Sequence, residues 1–158
     1  TYYVKTAIDT VTKIAFAYVY SRNTSQTSVD FLKKLQYVLP YEITNMHTDN
    51  GSEFHGKFEE ELRRQDIPHY FSYPHCPKQH GAVERFNRTL QEEFLQEGNF
   101  YPELSFLNQK LMEWLIEYNF HRPHASLNYQ NPLAFYDQHF VHSNSTQPSS
   151  MYWTSTCT

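Results

Sequence analysis

The chain has 158 residues, 39% hydrophobic and 17% aromatic, with 13 basic and 17 acidic side chains and a net charge of −4. This length buries the core of one domain, the aromatics exclude an acidic disordered chain, and the charge excludes binding to nucleic acid by overall attraction alone. No apolar run approaches the ~20 residues of a membrane span, and Cys76 and Cys157 make no disulfide framework, which predicts a cytoplasmic protein with no membrane partner.

Residues 2–9 and 13–20 are β-rich runs around a short turn and predict a hairpin, its second run apolar on both faces and so inside a sheet. A helix follows from Thr24 to Leu39. Val29, Leu32, Leu35 and Leu39 share one face, Thr24 or Ser25 caps the start, and Pro40 stops it. Next come a strand over 42–48, a short helix marked by Phe54, Phe58 and Leu62, and a strand over 67–72. The segment 73–81, "YPHCPKQHG", reads as a loop from its prolines and glycine. A helix is predicted from Ala82 to Glu97 and another from Pro102 to Tyr118. Residues 1–140 form the ordered α/β region, with helices crossing between parallel strands. Residues 141–158 lack charge clusters and periodicity and are expected to be a polar, disordered tail.

Two acids stand out by position. Asp49 ends the strand 42–48 at the turn formers Asn50 and Gly51, and no lysine or arginine lies nearby in sequence to balance it. Glu84 sits just inside the helix behind the proline-glycine loop. In an α/β sheet, the loops after the carboxyl ends of strands form the ligand crevice, so a strand-end acid and a helix acid can meet there. Carboxylates brought together repel unless a cation lies between them, and hard oxygen donors suit Mg²⁺ or Mn²⁺. Among 17 acids, however, any given pair is by default solvated surface.

The segments around these acids carry more information than their spacing does. "HTDNGSEF" (47–54), "YPHCPKQHGAVERFNRTLQEEF" (73–94) and "YNFHRPHASLNYQNPLAF" (118–135) resemble, in order, the catalytic core of DDE transposases and retroviral integrases, most of all the bacterial insertion-sequence branch. The resemblance matches Thr48, Asp49, Asn50, Gly51 and Ser52 to the motif of the second acid. Pro74, Pro77, Gly81 and Glu84 match that of the third, and Arg122, Pro123, His124 and Leu127 a further family motif. It implies a ribonuclease-H-like mixed sheet flanked by helices. The implied reaction is metal-dependent hydrolysis and strand transfer at DNA phosphodiesters, with Asp49 and Glu84 as catalytic metal ligands for Mg²⁺ or Mn²⁺. The partners it implies are DNA, as transposon ends and target, and further copies of the full-length protein. An alternative is a catalytically incomplete remnant that folds or binds DNA without cutting.

Asn87 and Arg88 stand one helical turn beyond Glu84 on its face. With Lys78 and Arg85 they are candidate DNA-binding residues, Arg88 being either a phosphate contact or the ion-pair partner of Glu84 or Glu92. His75, Cys76 and His80 supply only half of a zinc site, and a structural zinc needs four ligands. His47 reads as a strand residue. Asp9 reads as a turn residue rather than a catalytic acid: in the fold implied by the resemblance, the first acid stands on an opening strand beside the strand bearing the second. That strand is expected before Thr1, which leaves Asp9 in the hairpin turn.

Overall fold

The structure, a computed structural model, describes residues 1–71, 77–96, 103–142 and 150–157; for 77–80, 150 and 154–157 it describes the backbone alone. Strands β1 (Tyr3–Asp9) and β2 (Ala15–Tyr20) form the expected hairpin, antiparallel with Tyr3 opposite Tyr20. Helix α1 (Ser25–Val38) begins at Thr24, whose side chain accepts from Thr27 N while Thr27 reciprocates, a capping box. Strand β3 (Asn45–Thr48) leads through a short 3₁₀ turn to helix α2 (Lys57–Arg64), and strand β4 (His69–Phe71) pairs parallel to β3. Helix α3 (Pro77–Leu90) runs on through a π turn to Leu95, followed by α4 (Leu104–Phe120), α5 (Pro132–Tyr136) and strand β5 (Ser150–Cys157).

Two expectations are corrected. Helix α3 starts at Pro77 and not at Ala82. Proline at the first helical position loses no hydrogen bond and arrives with helical φ, so Pro77 opens the helix that its presence argued against. The larger correction concerns the tail. Residues 150–157 form a strand inside the sheet, whose order is β2-β1-β5-β3-β4. β5 pairs antiparallel with all of β1 and parallel with β3. Met151 and Trp153, two residues apart, both point into the core at 2% exposure. The Trp153 ring packs on Phe31, Phe54 and Phe58 at 4.8, 6.5 and 5.2 Å between centroids. Low charge and Ser/Thr content describe a β-strand as well as a coil, and the period-two burial settles between them. Residues 143–149 lie outside the described chain.

Helix α1 covers one face of the sheet through Phe31, Leu32 and Leu35, and α3 covers β1 and β5 on another. Helix α4 seals the edge at β2. Asn108 and Asn119 each accept from and donate to a β2 peptide, those of Val19 and Ala15, at 2.8–2.9 Å, as a neighbouring strand would. Among the described residues no helix is long and apolar enough to cross a membrane.

The hairpin turn uses Asp9 as a turn residue. Its Oδ1 accepts from the Val11 and Thr12 amides at 2.7 and 3.1 Å, and its Oδ2 from the Tyr41 hydroxyl at 2.7 Å. Asp9 is level with Met151, and Met151 with Met46. Asp49 therefore lies two strands across and three residues along, about 14 Å away. Burial raises the Asp9 pKa, opposed by those hydrogen bonds.

Candidate active site

Asp49 emerges from the carboxyl end of β3 with its side chain exposed. Its Oδ1 accepts from Gly51 N at 2.8 Å, which bends the chain back over the strand end. Gly51 is required there by space. A Cβ on it would lie 2.6 Å from Glu53 Oε2 and 2.9 Å from Asp49 Oδ1, so two carboxylate oxygens converge on one point. Glu53 is only 8% exposed.

The positive charge that Asp49 lacks nearby in sequence is supplied to this end of the sheet by β1, where it acts on Glu53 first and Asp49 second. Lys5 is 1% exposed and donates to Asn23 Oδ1 at 2.7 Å and Ser28 Oγ at 3.1 Å. Burial lowers its pKa to about 8, while Glu53 and Asp49, in that order, pull it back up. Neither Lys5 nor Glu53 was singled out from sequence. Glu53 lies within the quoted motif, and a lysine in the buried run "YVKTAID" is itself a signal, because a buried cation needs compensating groups.

Carrying the register two residues beyond His47, Asp49 is level with Thr6 on β1. The Thr6 hydroxyl donates to Asn87 Oδ1 at 2.6 Å, so α3 crosses the sheet at that same row. Glu84 stands one turn earlier on α3, on the face shared with Asn87 and Arg88, and both Glu84 and Arg88 are exposed. Among the described residues Arg88 forms no ion pair with Glu84 or Glu92. Arg85 turns to the other side of the helix, where it lines a cavity with Lys13 and His124. The side chains of Lys78 and His80, and all of His75 and Cys76, lie outside the described residues. His47 stacks between Tyr70 and Tyr152 at 5.2 and 4.4 Å, a sheet-face aromatic as expected.

Hard carboxylate oxygens converging above Gly51 are the donor chemistry a divalent hard cation takes, so the residues fit such an ion. Among the described residues no three His, Cys, Asp or Glu side chains gather around one point.

Two family models of the integrase core domain match this chain, one over residues 1–77 and the other over 65–132. The chain belongs to the integrase core family. The ORF3 protein of Spiroplasma virus SpV1-C74, named as an integrase, is 32% identical over 151 residues, covering 85% of this chain and 41% of its own length. A 39.2 kDa protein of insertion element IS476 from Xanthomonas euvesicatoria is 31% identical over 91 residues, covering 57% of this chain and 26% of its own. This integrase-core chain thus spans less than half the length of these relatives. Among solved structures, the catalytic core domain of BIV integrase superposes with a TM-score of 0.68 at 22% identity, covering 90% of each chain. The HTLV-2 integrase catalytic core in complex with magnesium superposes at 0.66 and 19% identity, covering 85% of this chain and 84% of that one. The fold is ribonuclease-H-like.

Proposed function

We propose that this chain is the core region of an insertion-sequence transposase, acting on DNA ends and target by phosphodiester hydrolysis and strand transfer. Asp49 and Glu84 are the ligands for Mg²⁺ or Mn²⁺. Bound there, the ion supplies activation of an attacking oxygen and neutralises charge at the scissile phosphate. Arg88 positions the DNA backbone from the face of α3 that carries Glu84. Asn87 fixes that face against β1 through Thr6. The observation that supports this reading is the shared row: the strand-end acid and the bond anchoring the Glu84 helix lie at one level of the sheet. Assembly of several copies on DNA belongs to the same reading. The test is a nicking and strand-transfer assay on duplex ends in Mn²⁺; activity lost in Asp49→Asn and in Glu84→Gln supports it, and activity equal to the parent in either rejects that residue's role.

A specific observation favours a second reading, a core that binds DNA without cutting. The strands flanking β3 are β4 and β5, and neither "HYF" nor "SMYWTSTC" contains an acid. Lys5 meanwhile offsets the charge of Glu53 and Asp49 without a metal. Duplex binding with no cleavage in Mg²⁺ or Mn²⁺ selects this reading.

A further inference from the structure

On the side of α3 away from Glu84 lies a cavity of about 380 Å³, walled by the hairpin turn, α3 and the segment "RPH" at 122–124. Lys13, Arg85, Arg122 and His124 all line it, and none of the described lining residues is an acid. Like charges gathered in one cavity repel unless an anion sits among them.

Three independent features point the same way. His124 Nε2 is buried with no hydrogen-bond partner among the described residues. Arg85 lies back along its helix over Gly81, where a Cβ would come within 3.3 Å of its Nη1, so glycine leaves room for the guanidinium. Lys13 has φ +63°, the left-handed conformation that favours glycine at this point of a hairpin, yet here it carries an ammonium to the cavity wall. Glu93 engages Arg122 from outside the cavity, and Lys13 gives one donor to Thr10 O at 2.6 Å, which leaves two. The groups sense one another: after burial, Arg85 is the strongest influence lowering the Lys13 pKa. The His124 pKa is lowered chiefly by burial, against a hydrogen bond to the Tyr118 backbone, with Arg122 and then Lys13 lowering it further.

We propose that this cavity is a phosphate site, in which Lys13, Arg85, Arg122 and His124 grip one backbone phosphate of a DNA strand. The choice of DNA as the source of that phosphate rests on the function proposed above. A strand held here runs past the opposite face of α3 from Arg88, so one helix contacts DNA on two sides.

The variant Lys13→Gly separates binding from folding, because glycine relieves the backbone at residue 13 while removing the ammonium. Inorganic phosphate is titrated into the labelled chain, following the Arg85 and His124 side-chain resonances by NMR. Duplex DNA affinity is read by anisotropy across a salt series. Lys13→Gly is expected to melt no lower than the parent, to weaken phosphate binding at least several-fold, and to weaken DNA binding about 3–10-fold with a salt slope shallower by about 0.9. Arg85→Gln is expected to behave alike. Parent resonances unmoved by phosphate, or phosphate affinity unchanged in both variants, overturns the site. DNA affinity intact in both variants overturns DNA as its ligand and leaves free phosphate. A parent that binds phosphate but no DNA counts against the function proposed above and against DNA here together.

Discussion

The Thr6 hydroxyl donates to Asn87 Oδ1 at 2.6 Å, tying the second buried row of β1 to the helix that carries Glu84 and Arg88. Thr6→Val keeps the shape of the side chain and removes the donor. It is expected to cost about 0.5–1.5 kcal/mol in urea unfolding, the usual net worth of one intramolecular hydrogen bond. DNA binding should fall with it as α3 loses its anchor, and Thr6→Ser should restore both. Equal stability of Val and Thr at position 6 would show the bond to be incidental.

Mn²⁺ is expected to bind weakly at the end of β3, since two or three carboxylates leave much of its coordination to water. Paramagnetic broadening should centre on residues 49–53 and vanish in Asp49→Asn. Broadening equally strong in that variant places the ion elsewhere.

Arg88→Ala is expected to weaken duplex binding across sequences and to flatten the salt dependence by about 0.9 in slope, as a lost phosphate contact does. An unchanged slope would return Arg88 to ordinary surface.

Burial holds His69 down at a pKa of about 4, against the pull of Glu59, with Thr48 Oγ1 2.7 Å from its Nε2. Below the ordinary value near 6.5, the unfolded chain takes up a proton that the folded chain refuses. Stability should therefore fall as pH drops from 6.5 to about 4, by roughly 3 kcal/mol from this residue. Urea melts at pH 7, 5.5 and 4 on the parent and on His69→Gln isolate it, since Asp9, raised by burial, contributes to both. Parallel curves for the two proteins reject the assignment.

Trp153→Ala is expected to destabilise the fold by about 3–5 kcal/mol, the usual cost of emptying a large aromatic site. Hydrogen exchange should protect the amides of Tyr152 and Trp153 as strongly as those of β1. Rapid exchange at both would leave β5 undocked.

The helices were readable because apolar residues recur at helical spacing and caps mark the ends, as Thr24 and Pro40 do for α1. Motif and position single out Asp49 and Glu84, the pair on which the proposed function rests. Three things were not readable. Lys5 comes within the electrostatic influence of Glu53 and Asp49 through the packing of β1 beside β5 and β3, a neighbourhood no local window contains. β5 looks like a tail because its pattern, Met151 and Trp153 inward with Tyr152 between, is only three residues long against a Ser/Thr background. The split of α3 into two working faces needed the positions of Lys13 and His124, which come from a hairpin turn and a distant loop.

The placement of β5 also dictates the order in which the molecule can assemble. Tyr3 pairs with Cys157, so the central ladder joins residues from opposite ends of the described chain. The hairpin of β1 and β2 closes over a few residues, and β3 with β4 over about twenty, while bridging the two halves means closing a loop of nearly the whole sequence. Each half therefore waits with an open edge, β1 on one side and β3 on the other, until the last of the described strands is made. Such a sheet folds slowly, on the timescale of non-local β pairing, and its unpaired edges are open to any other extended segment in the meantime.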